Sequence, residues 1–145
     1  MSSFLKLNTY ALIAAIAMFL MTEIMLNIYR ISNVLNISIT NGSVLSLLVT
    51  FLIVIIFTFV FYRLIDPFNF LFFTTTLVWL PYYLLFIYLF SILFPIENRG
   101  EIPPPITGLI IMAKLIGYPF YLGLIFQFKR RKISGAKTAN KPIQQ

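Results

Sequence analysis

The sequence predicts an all-α integral membrane protein, a bundle of four transmembrane helices, and three observations carry that prediction. Hydrophobic residues make up 60% of the 145-residue chain and charged residues only 10%, whereas an average soluble domain carries about 25% charged residues. The apolar residues are gathered into four runs, each close to or above the ~20 residues that a helix needs to cross a hydrocarbon core of roughly 30 Å. Only two ionisable residues, Glu23 and Lys114, lie well inside any run. The helices are expected at about 10-29, 44-62, 70-94 and 105-128.

The first run extends from Tyr10 to Tyr29 and is interrupted by Glu23 and Asn27. Read alone, it could be a cleaved signal peptide with Lys6 as its basic start. The small-residue site Ala15-Ile16-Ala17 lies inside the run and not after it, which favours a retained span. The second run, Val44 to Tyr62, is rich in β-branched residues, yet it is far longer than a strand of about ten residues. It is also apolar on both faces, unlike a strand of a membrane barrel. The third run, Phe70 to Phe94, contains Thr74, Thr75, Thr76 and a mid-span Pro81, which removes one backbone hydrogen bond and predicts a kink. The fourth starts at Pro105, a favourable first-turn residue, and ends at Phe128. Its Lys114, Gly117, Pro119 and Gly123 predict irregularity near the centre.

The connections are short. Ile31 to Ser43 is polar and holds two glycosylation-type triplets, Asn36-Ile37-Ser38 and Asn41-Gly42-Ser43. Arg63 to Asn69 reads as a tight turn stopped by Asp66-Pro67. Ile96 to Pro104 leads through Pro103-Pro104-Pro105 as a stiff, extended approach to the last helix. Residues 1-133 form a single transmembrane domain on this reading, and 134-145 a flexible basic cytoplasmic tail, short of apolar surface and carrying Gly135 and Pro142.

The net charge of +7 is a matter of placement. Six of the eleven basic residues, Lys129, Arg130, Arg131, Lys132, Lys137 and Lys141, follow the last run. Lysine and arginine near helix ends favour the cytoplasmic side, so the C-terminus is expected there. With four spans the N-terminus joins it, in agreement with Lys6, and the expected location is the plasma membrane. The loops with Arg30 and with Glu97, Arg99 and Glu101 are then external. The cluster Lys129, Arg130, Arg131 and Lys132 should attract anionic lipid headgroups. Tyr10, Tyr29, Tyr62 and Tyr88 lie toward run ends, as in an interfacial aromatic belt.

The chain has no cysteine and no histidine, which excludes disulfides, thiolate chemistry and the commonest metal ligand and catalytic base. No catalytic, metal or cofactor residues are expected, and a role in binding nucleic acid is not expected. Chemistry, if any, falls to Glu23 and Lys114, because hydrocarbon penalises both charges. Counting at 1.5 Å per residue puts their depths within about 5 Å of one another, so a Glu23–Lys114 pair between the first and last helices is expected. Asn27 and Arg30 follow Glu23 at helical spacing, and Tyr118 and Tyr121 follow Lys114 likewise. The pair could fix helix order, serve a substrate or proton, or meet a partner chain. Ala113 and Gly117 would let another helix approach closely, within this bundle in preference to a dimer.

These features favour a small polytopic protein acting as an accessory or interaction subunit of a membrane complex, not an enzyme. The alternative is a small oligomeric transporter or channel using Glu23 and Lys114 in its pathway. Four helices with a glutamate in the first resemble the small multidrug-resistance transporters in architecture, but Lys114 and Pro81 depart from that pattern and no motif matches.

Overall fold

The computed structural model describes residues 3–64, 71–96 and 98–139. Five α-helices follow one another: α1 (Ser3–Leu26), α2 (Ile28–Leu35), α3 (Ile39–Leu64), α4 (Leu71–Leu93) and α5 (Pro105–Ala139), with a short 3-10 turn at Arg99–Glu101. Four of them, all but α2, are long and apolar enough to cross a membrane. The chain is a small membrane protein of four candidate spans.

The centre of the bundle is α1. Ala11, Ala14, Ala15 and Met18 recur on one helical stripe and are completely buried. The three alanines let neighbouring backbones come close, which is how helices associate where burial of apolar surface gives no advantage over lipid. Accordingly 39% of the α1 span is buried inside the protein, against 6% for α3. The closest neighbour of α1 is α4, where Phe19 meets Phe86 and Phe90, each at a ring-centroid distance of 5.7 Å.

Hydroxyl and amide groups tie the helices at several depths. Tyr82 donates to Asn8 Oδ1 at 2.7 Å and Tyr83 to Thr22 at 3.3 Å, both between α4 and α1. Tyr118 of α5 donates to the Ala14 carbonyl at 2.8 Å while its ring packs edge-on against Trp79 at 4.8 Å. Near the termini Tyr10 donates to the Leu64 carbonyl at 2.9 Å, and Thr58 of α3 bonds Tyr121 of α5. Each such bond is worth about 0.6 kcal/mol in a membrane interior, and their use is to fix register. One end of the bundle, here the terminal face, gathers the starts of α1 and α4 and the ends of α3 and α5. The other, the loop face, carries α2 and the 3-10 turn.

Several boundaries differ from the sequence expectation. α1 begins at Ser3, well before Tyr10, and ends at a bend on Asn27, whose φ of −97° and ψ of 18° leave the helical basin. Beyond it α2 runs from the end of the expected first span into the segment expected as polar loop. It is stopped by Asn36 in the left-handed conformation, φ 56°, which asparagine tolerates better than most residues. Ser38 then accepts a bond from the Asn41 N–H at 3.3 Å, an N-cap that starts α3 five residues before Val44. Two close turns thus replace a long loop. The triplet Asn41-Gly42-Ser43 falls inside the first turns of α3.

Helix α4 passes through Pro81 and α5 through Pro119, Gly117 and Gly123 without interruption, so the last span is not broken where irregularity was expected. In an apolar medium a broken turn would strand backbone groups with nothing to bond. α5 also runs on past Phe128 to Ala139. Residues 134–139, expected as flexible tail, have helical backbone, and 140–145 lie outside the described residues. The Asp66-Pro67 turn lies outside them too, whereas Pro105 opens α5 as expected.

Candidate intramembrane polar site

Glu23 and Lys114 are close in depth but do not form the expected pair. The Glu23 side chain is buried, and its carboxylate accepts a bond from the Asn27 side-chain amide at 2.8 Å; the same amide also reaches the Glu23 carbonyl at 3.1 Å. Asn27 thus has two roles: it neutralises the hydrogen-bonding need of a buried carboxylate and marks the bend where α1 ends. Lys114 is half-buried, and its ammonium reaches up to Met25 Sδ at 3.6 Å. A thioether is a weak acceptor. No salt bridge joins Lys114 to a carboxylate among the described residues. The reason is rotational: Thr22, beside Glu23, is held against Tyr83 of α4, while Met25 faces the side where α3 and α5 part.

The space beside Lys114 is a lateral crevice. Its upper part, near the loop face, has a volume of about 460 Å³ and is lined by Met25, Ser43, Ser46, Thr50, Thr107 and Lys114, among others. A smaller slot of about 250 Å³ continues below it, sharing Thr50 and Lys114 and adding Met18, Met21, Val54 and Gly117. Three stripes at helical spacing make the walls. α1 presents Met18, Met21 and Met25; α3 presents Ser43, Ser46 and Thr50; α5 presents Thr107, Lys114 and Gly117. Unbranched methionines give a wall that can adapt to what it meets.

Of the supporting residues, Asn27 joins Glu23. Tyr118 lines the lower slot but turns its hydroxyl to Ala14, and Tyr121 bonds Thr58, closing the crevice toward the terminal face. Ala113 is exposed and a side chain at Gly117 would meet nothing within 4 Å. The small pair therefore does not pack against another helix of this bundle, because α5 turns Tyr118, Leu122 and Ile125 inward instead.

Sequence reasoning missed two features. The hydroxyl stripe of α3 was legible as Ser43, Ser46 and Thr50 at helical spacing, but a run so apolar drew attention to its length alone. The ion pair of Arg30 with Glu101, at 3.3 Å, joins α2 to the 3-10 turn, and Arg30 also donates to the Pro95 carbonyl at 2.8 Å. The bend at Asn27 takes Arg30 off the Glu23 stripe and makes this possible. No family model, curated protein or solved structure matches this chain, so its function is read from these residues alone.

Proposed function

We propose that the chain is an accessory or interaction subunit of a membrane complex, and that its partner docks on the α3–α5 crevice and supplies a carboxylate to Lys114. One observation carries the reading: the Lys114 ammonium borders an open crevice and has a methionine sulfur in place of a counter-charge. An ammonium at mid-depth costs roughly 2.5–3.5 kcal/mol on insertion, and a mate brought by another chain offsets that cost. The small buried share of α3, 6% of its span, supports docking on that side, where Ser46 and Thr50 line the crevice beside Lys114. The reading is of an interaction protein and not of an enzyme because the Glu23 and Lys114 side chains meet Asn27 and Met25, neither of which is a nucleophile they could activate.

The basic residues after Phe128 orient the bundle with both termini in the cytoplasm, in the plasma membrane on this reading, and draw anionic lipid headgroups to that face. A photo-reactive residue at Thr50 tests the proposal in intact cells. Cross-linking to a different membrane protein bearing an intramembrane acid supports it; recovery of uncross-linked chain alone overturns it.

The second reading, a small oligomeric transporter or channel, is favoured by the continuity of the α3 hydroxyls with Lys114. It requires Lys114 but not Glu23, which lines neither part of this crevice. Cross-linking from Thr50 to a second copy of the chain would select it.

A further inference from the structure

The basic cluster after Phe128 is divided between two faces of α5. Lys129 turns toward α3: its ammonium donates to the Arg63 carbonyl at 3.3 Å and stands 5.5 Å from the centre of the Tyr62 ring. Arg130 and Arg131 instead line a groove of about 780 Å³ between α4 and α5, open to the terminal face. Deeper along the same groove lie Phe120, Gly123 and Leu124, and Gln127 sits between the two groups. A side chain at Gly123 would meet nothing within 4 Å, so the groove is open space at this position.

Polarity and shape agree. An apolar channel ends in two guanidiniums at the depth where a headgroup would lie. Among the described residues neither arginine is in a salt bridge, and the described carboxylates, Glu23 and Glu101, belong to the other half of the bundle. Guanidiniums present paired N–H groups that match a phosphate. Basic pockets between spans are a recurrent form of acidic-lipid site, and the volume is that of a small-ligand site, about 300–1,000 Å³.

We propose that the α4–α5 groove binds one anionic phospholipid of the leaflet on the terminal side. Its phosphate is held by Arg130 and Arg131, and an acyl chain lies over Gly123 between Phe120 and Leu124. The inference deepens the reading of the basic cluster as lipid-facing, from a diffuse attraction to a shaped site. Diffuse attraction counts charges and is blind to the groove.

The test is native mass spectrometry of the full chain in neutral detergent, titrated with phosphatidylglycerol or phosphatidylcholine. The expected result is a single retained phosphatidylglycerol, with about tenfold weaker binding on Arg130→Gln plus Arg131→Gln. Lys132→Gln, outside the groove, leaves binding within about twofold. Gly123→Phe keeps every charge, fills the groove and weakens binding about as much as the arginine changes. Retention that responds equally to Lys132→Gln, or ignores Gly123→Phe, overturns the groove while leaving the broader lipid reading intact. No preference for phosphatidylglycerol over phosphatidylcholine in the unaltered chain overturns both. Should Gly123→Phe not fold, a phosphatidylglycerol with a photo-reactive acyl chain decides on the unaltered protein: labelling confined to 119–124 supports the site, and labelling spread along α3 overturns it.

Discussion

Replacing Gly42 by alanine should destabilise the protein even though alanine is the better helix former. The α2–α3 corner closes on this residue: a β-carbon added there would lie 1.9 Å from Ser32 Oγ and 3.2 Å from Ser32 Cβ. Ser32 is 1% exposed, and among the described residues its hydroxyl has no hydrogen-bond partner. Overpacking of this kind costs about 1–3 kcal/mol, against a gain of roughly 1 kcal/mol for Gly→Ala in a helix. The net expectation is a loss of about 1 kcal/mol. Ser32→Ala alone should not destabilise, since it removes a buried hydroxyl that bonds nothing. In that background Gly42→Ala should cost less, because the oxygen at 1.9 Å is gone and only the contact to Cβ remains. Urea unfolding in neutral detergent, followed by emission of Trp79, the chain's single tryptophan, measures all four species. A Gly42→Ala protein more stable than the parent, or a loss unchanged by Ser32→Ala, would refute the close approach of α2 to α3.

Other consequences are simpler to state. Single cysteines at Asn33 and Asn98, both exposed at the loop face, should label with an impermeant thiol reagent in intact cells, while one at Ser134 should not; the reverse pattern rejects the proposed orientation. Tyr118→Phe keeps the ring against Trp79 and loses the bond to Ala14, so unfolding should show a loss of about 0.6 kcal/mol, not above about 1.7. Arg30→Gln should loosen the loop face, where the side chain holds both Glu101 and Pro95. Protease cleavage in the segment around Arg99 should rise several-fold in that variant, and unchanged cleavage would show the ion pair to be incidental.

What the sequence disclosed, and what it concealed, follow from the same physics. Hydrocarbon demands long apolar helices, so the four spans and the start at Pro105 could be read from composition. Helix ends outside the hydrocarbon are governed by single residues. Asn27, Asn36 and Ser38 turn a supposed loop into two corners, and only their backbone angles and side-chain bonds reveal it. Depth was legible in part, since rise per residue is fixed, and Lys114 reaches Met25, two residues from Glu23. Rotation was not. Which face of α1 meets α4 depends on the fit of Asn8, Phe19 and Thr22 against Tyr82, Phe86, Phe90 and Tyr83. That fit sends Glu23 toward Asn27 and Lys114 toward Met25. The division of Lys129 from Arg130 and Arg131 has the same origin, because neighbouring residues on a helix point about 100° apart.

The central claim is that Glu23 is not the counter-charge of Lys114, as the proposed docking of a partner requires, and a double-mutant cycle tests it most directly. Glu23→Gln and Lys114→Met are made singly and together, and each protein is unfolded in detergent. Glu23 is bonded to Asn27 and Lys114 to Met25, so the account predicts that the two effects add to within about 0.5 kcal/mol. A double variant that recovers 1 kcal/mol or more relative to the sum would show the two charges to be partners within one bundle, and would contradict the account.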